Sequence, residues 1–189
     1  MRIGGFPEVV LGKISEKEFK REYIDIVLYR DFIERFKIEN PQVARFILYS
    51  IIQSNASKLS VNKIYRQIKQ VMMVSNKTVR KYVNLLQETL FVFYLRKFTF
   101  SLKLGYLTQP KVYLCDPLLE FESNVIGRKI EIIVLLDLIR RGFELNQDLF
   151  YFQTKEGYEV DFLIKEGNRV RKLIQVIYAK VLMKLIEGR

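Results

Sequence analysis

The sequence predicts an α+β protein of two modules, and three observations predict it. Residues 36–90 carry three apolar stripes at helical spacing, and aromatic-rich extended pieces follow them up to residue 115. From residue 116 a single apolar helix leads into three strand-like runs divided by Gly-containing turns. Charge separates the same two blocks. Of 32 Lys/Arg and 21 Asp/Glu, residues 36–115 hold 13 and 2, which is the whole net charge of +11; the rest is balanced at 19 of each. A charge excess confined to one block marks a module that faces a polyanion.

Residues 1–35 read as an N-terminal arm. A Gly-Gly-Phe-Pro-Glu turn (Gly4 to Glu8) precedes a helix from about Ser15, where Ser15 and Glu18 fit a capping box. Ile24, Ile26, Val27, Leu28, Phe32 and Ile33 supply its apolar side. The segment is expected to be a docking arm or the remnant of a junction with something larger.

In the basic block, Pro41 starts a helix through Ile52 with Val43, Phe46, Ile47 and Ile51 at helical spacing. Ser57 to Ser60 reads as a loop. Ser60 or Asn62 caps a second helix carrying Ile64, Ile68 and Val71. Ser75 caps a third, whose stripe is Val79, Tyr82, Val83, Leu86 and Leu90. Extended runs at Leu90 to Phe100 and Lys111 to Cys115 are expected to pair across a loop at Ser101 to Pro110. Three helices followed by a β-hairpin is the winged-helix order, with the third helix as the element that enters a major groove. Lys77, Thr78, Arg80, Lys81 and Asn84 are its candidate nucleic-acid contacts, and Arg96, Lys97 and Lys103 those of the wing.

The last block, residues 116–189, opens at Asp116-Pro117. A helix from Gly127 to Arg141 bears Glu131, and strands follow at about Leu149 to Gln153, Tyr158 to Lys165 and Arg169 to Tyr178. Val181 to Ile186 starts another helix. Glu159 and Asp161 lie two apart on one strand and therefore share a face. Gln175 and Ile177 do the same on the next. Nucleases of the PD-(D/E)XK type use an acid on one strand, then Glu or Gln, one residue, and Lys on the next. Here Ile177 stands in the lysine slot.

Composition removes several classes of chemistry. With no histidine and one cysteine, Cys115, neither Ser-His-Asp nor Cys-His catalysis is open to the chain, nor a Cys/His zinc site, nor an internal disulfide. No G-x-x-x-x-G-K-[ST] loop is present for ATP. No apolar run reaches the ~18 residues of a membrane span, and the first residues lack the apolar core of a signal peptide. A cytoplasmic location without membrane contact is expected.

The motifs, in order, carry a resemblance. Gly-Gly-Phe-Pro-Glu is followed by Arg30-Asp31, Glu34-Arg35, Ile38 and Asn40, then by Ser75, Thr78-Val79, Tyr82 and Leu85-Leu86. Next come Lys111-Val-Tyr, Asp116, the Glu131 helix, Glu159-Val-Asp161-Phe and Leu173-Ile-Gln-Val. The chain resembles the C-terminal half of archaeal AAA-type ATPases, which join an ATPase to a winged helix and a restriction-endonuclease-like domain. The resemblance implies a winged-helix module (36–115) followed by a PD-(D/E)XK-type α/β module (116–189), and an arm (1–35) left from the ATPase junction. It implies a truncated or split member, with an ATPase domain or partner chain elsewhere; a homo-oligomer is a further option.

The function expected is DNA binding without catalysis. Two alternatives remain open at this stage: a magnesium-dependent nuclease, and a protein-docking module of an ATPase assembly. In the nuclease reading Glu131, Asp161 and Gln175 are the catalytic candidates, and Glu131 and Asp161 hold the metal with Glu159 nearby. Lys172 or Lys180 would have to replace the missing lysine.

Overall fold

The computed structural model describes residues 5–121 and 126–178. Gly4, Lys180 and the expected helix at 181–186 lie outside the described residues, as does the side chain of Lys103. The architecture mixes α and β, with two three-stranded antiparallel sheets.

A short helix, α1 (Pro7–Val10), leads to α2 (Glu16–Ile26). Ser15 caps α2 by accepting the Glu18 amide at 3.2 Å, as its sequence predicts. The helix continues into a π-helical stretch over Val27–Glu34, which the sequence pattern does not reveal. Ile24, Val27, Leu28 and Phe32 are buried in the same core as the following helices, so this segment is built into the first module.

Then come α3 (Pro41–Gln53), strand β1 (Ser57–Lys58), α4 (Val61–Lys69) and α5 (Asn76–Gln87). Asn40, Ser60 and Ser75 cap the three helices through their side-chain oxygens. β2 (Val92–Leu95) and β3 (Lys111–Leu114) follow, in the sheet order β1-β3-β2. The expected strand from Leu90 to Phe100 is thus shorter, because Leu90 takes a positive φ of 59° and the chain leaves the ladder after Leu95. The expected loop between them holds a short helix, α6 (Leu102–Leu107), and the loop expected at 57–60 supplies β1.

After a 3-10 turn at Pro117–Leu119, helix α7 (Ile126–Arg140) precedes β4 (Leu149–Gln153), β5 (Glu159–Glu166) and β6 (Arg169–Ile174), paired in sequence order. The two sheets are stitched together just beyond β2. Phe98 N donates to Tyr151 O at 2.7 Å and Tyr151 N to Arg96 O at 3.0 Å, a parallel link between 96–98 and β4.

β3 is buried on both faces, and strand periodicity explains what that does. Val112 and Leu114 point into the helical core, beside Val92 and Tyr94 of β2. Tyr113 and Leu95 point the other way, into a second core with Leu135 of α7, Tyr151 of β4 and Phe162 of β5. One strand serves two cores, and its alternate residues, Lys111 and Tyr113, are delivered to the second module.

Candidate functional site

Lys111 sits on the Tyr113 side of β3, and only 3% of it is exposed. An ammonium has three protons and no acceptor. All three find carboxylates: Glu131 Oε1 at 2.9 Å, Glu159 Oε1 at 2.9 Å and Asp161 Oδ1 at 3.0 Å. Glu131 comes from α7, and Glu159 and Asp161 from β5, so one lysine of the first sheet gathers both elements of the second module.

Further hydrogen bonds and an ion pair close the cluster. Lys58 faces Lys111 across the β1–β3 register and donates to Glu159 Oε2 and Gln153 Oε1, both at 2.8 Å. Tyr113 O–H donates to Glu131 Oε1 at 2.5 Å. Asp161 Oδ2 accepts from Gln175 Nε2 at 2.7 Å and from the Val176 amide at 2.9 Å. Both Asp161 oxygens are therefore engaged.

Electrostatics follow from this geometry. Burial works to lower the Lys111 pKa, but Glu131, then Glu159 and Asp161, outweigh it and hold the ammonium well above its ordinary range. Burial raises the Glu131 carboxyl, and Lys111 and Tyr113 only partly offset that. Burial acts in the same sense on Glu159, yet Lys58 and Lys111 together pull it below the usual carboxylate value. Tyr113 is pushed well above its ordinary value, chiefly by burial and then by Glu131.

The sequence-predicted set Glu131, Asp161 and Gln175 is thus brought together. A divalent cation needs carboxylate oxygens around one open point. Here that point is held by the Lys111 ammonium, and Asp161 has Gln175 as a donor on its other oxygen. Among the described residues no group of three His, Cys, Asp or Glu is arranged for a metal ion. Ile177 is 80% exposed and directs no cation into the cluster; Lys172 is exposed as well. Sequence reasoning missed Lys58, Lys111 and Tyr113. The available signal was a lysine at an inward position of a four-residue strand otherwise made of Val, Tyr and Leu.

The nucleic-acid candidates divide between two places. On α5, Lys77, Arg80, Lys81 and Asn84 are exposed, and Val79, Tyr82, Val83 and Leu86 are buried on the opposite side. Lys63, Arg66 and Lys69 of α4 are exposed too. Thr78 is half-buried and its hydroxyl pairs with Ser75 at 2.8 Å, in the cap. Arg80 is held by Asn76 at 2.6 Å and by Asn62 of α4 at 2.9 Å. Arg96 and Lys97, by contrast, are half-buried at the joint between the sheets, beside Phe150 and Lys165.

Comparison with known proteins adds a family. A model described as a domain of unknown function (DUF8612) matches residues 1–119. Uncharacterized protein MJ1544 of Methanocaldococcus jannaschii is 34% identical over 184 residues, covering 94% of this chain and 41% of that protein. An uncharacterized protein of Haemophilus influenzae is 27% identical over 197 residues, covering 99% of this chain and 46% of that protein. The chain thus spans less than half the length of these curated relatives. No solved structure matches it.

Proposed function

The chain belongs to the DUF8612 family, and from that premise we propose that it binds duplex DNA through a winged helix and does not itself cut DNA. The observation that carries the reading is α5, with Lys77, Arg80, Lys81 and Asn84 exposed on one side and its apolar stripe buried on the other. A helix with that division presents cations and an amide to a groove while its other side anchors it. The order α3-β1-α4-α5-β2-loop-β3 supports the winged-helix assignment. The sequence α7-β4-β5-β6, with Asp161 beside Gln175, supports a nuclease-like ancestry for the second module.

The non-catalytic half of the proposal rests on Lys111. Metal-dependent phosphodiester cleavage uses carboxylates to hold the ion that activates water. In this chain those carboxylates neutralise a buried lysine. The same cluster ties the basic module to the second one, so it acts as a joint. Following the resemblance to archaeal AAA-type ATPases, the reading adds an ATPase domain or chain as partner. Its site of action is cytoplasmic; among the described residues no helix is long and apolar enough to cross a membrane.

The test is a titration of labelled blunt duplex at two salt concentrations, with and without magnesium, with the same samples run on a gel. Salt-sensitive binding without cleavage is expected. Magnesium-dependent cleavage abolished by Asp161→Ala would replace this reading with that of a nuclease. Absence of binding at low salt would leave α5 as a docking surface for protein.

A further inference from the structure

We infer that the groove beside the sheet joint is a binding site for single-stranded DNA, separate from the duplex-facing side of α5. It lies between residues 96–100 and the β4–β5 hairpin and has a volume of about 640 Å3, within the ~300–1,000 Å3 of ligand-sized sites. Three cations line it: Arg96, Lys97 and Lys165. Three phenylalanines line it as well. Phe98 stands 5.2 Å from Phe100 and 5.7 Å from Phe150, each pair edge to face. Lys165 Nζ lies 5.7 Å above the Phe150 ring. Among the described lining residues there is no carboxylate.

The chemistry that complements rings beside cations is a flat apolar ring joined to a phosphate. Strand-binding grooves combine these two features, with bases stacked on aromatic side chains and the backbone tracked by lysine and arginine. A duplex cannot use the rings, because its base faces are already stacked on one another. Phe100 is 93% exposed, an open ring on the rim where a base can stack. The groove is also held in place. The Phe98–Tyr151 and Tyr151–Arg96 backbone bonds fix one wall on the other. Asn146 adds a clamp, accepting the Arg96 amide at 2.6 Å and donating to Tyr94 O at 2.9 Å. Cations and rings therefore keep their spacing before a strand arrives.

This site stands apart from the α5 reading, and either holds without the other. The experiment is fluorescence anisotropy of labelled oligothymidylate and of a blunt duplex, using the whole chain. Phe100→Ala is expected to weaken oligothymidylate binding about tenfold, the loss of one base stack, and to leave the duplex unchanged. Lys97→Gln with Lys165→Gln should flatten the salt dependence of strand binding by roughly 0.7 per lost phosphate contact. Lys81→Ala should weaken the duplex alone. Cross-linking of an iodouracil-bearing strand to the unsubstituted protein supplies a second measure, with adducts expected at Phe98, Phe100 or Phe150. The inference is overturned if oligothymidylate does not bind, if Phe100→Ala binds it as tightly as the parent, or if adducts fall only on α5. Absence of duplex binding by the unsubstituted chain, with oligothymidylate still bound, would sink the α5 reading alone.

Discussion

Lys111 Nζ lies 3.0 Å from Asp161 Oδ1, although 50 residues separate them and they belong to different sheets. This contact joins the two modules at the point where the second one gathers its acids. Opposite charges at such a distance attract strongly when water is excluded, but each also loses its hydration. Burial opposes the charged form of Lys111, and the three carboxylates around it act the other way and hold the ammonium.

Removing the lysine should therefore cost more than its net contribution. Lys111→Met would leave Glu131, Glu159 and Asp161 facing one another with Lys58 as the remaining cation of the cluster. Breaking a buried pair by deleting one partner costs about 3–5 kcal/mol. A fall of that size in urea unfolding free energy is expected, with partial recovery when Asp161→Asn is added. A Lys111→Met variant as stable as the parent would show that the modules do not depend on this joint.

Local features of the fold were legible and distant ones were not, and the cap residues show why. Ser15 and Ser75 act on amides three residues away, so a short window of sequence contains both partners. β5 and β6 declare themselves by the turns that bound them; Gln175, expected on the second strand, lies just past its end at Ile174 and reaches Asp161 from there. Lys111 could be counted as one more positive charge of the basic block, but its partners lie 20 to 50 residues downstream. β1, with two residues, is too short to form a pattern and exists because Ser57 and Lys58 pair with β3. Arg96 and Lys97 were expected on a wing; their position beside β4 depends on a backbone link to Tyr151 that no local pattern encodes.

Stability should fall in alkali. Burial pushes the Cys115 thiol from 9.0 up to about 11 and the Tyr151 hydroxyl from 10.0 up to about 12. A raised folded pKa means that the folded chain binds more protons than the unfolded one above the ordinary value. The contribution is complete below that value and is lost as pH rises through the folded pKa. Lys111, also raised, adds to the loss above 10.5. The wild-type urea midpoint should decline from about pH 9, and Cys115→Ala should decline less between 9 and 11. In acid the two carboxyls act in opposite senses and in different windows. Glu131, raised, adds stability as pH falls through its folded pKa toward 4.5, whereas Glu159, lowered, loses stability as pH drops below 4.5. Parallel decline of parent and Cys115→Ala across pH 9–11 would refute the thiol's part.

A second buried polar pair predicts a more local loss. Asn55, fully buried, donates to Glu120 Oε2 at 2.6 Å and accepts the Leu114 amide at 3.1 Å. Asn55→Ala takes the acceptor from a buried backbone N–H at the end of β3, which costs about 1–3 kcal/mol. Hydrogen exchange should show the Leu114 amide less protected, with amides of β6 unaffected. Unaltered exchange at Leu114 would mean that another group accepts its bond.

The two basic neighbours on α5 should behave differently when removed. Arg80 links Asn76 to Asn62 of α4, so Arg80→Ala removes contacts within the protein as well as a charge. Lys81 is exposed, and Lys81→Ala should leave the melting temperature within error of the parent. If both contact phosphates, each substitution should weaken duplex binding across sequences and reduce the slope of log K against log salt by about 0.9. Only Arg80→Ala should also lower stability, by up to about 1 kcal/mol for its exposed hydrogen bonds. Anisotropy titrations over a range of salt, paired with thermal melts, separate the two. A full salt slope in both variants would remove α5 from the DNA interface, whatever the melts show.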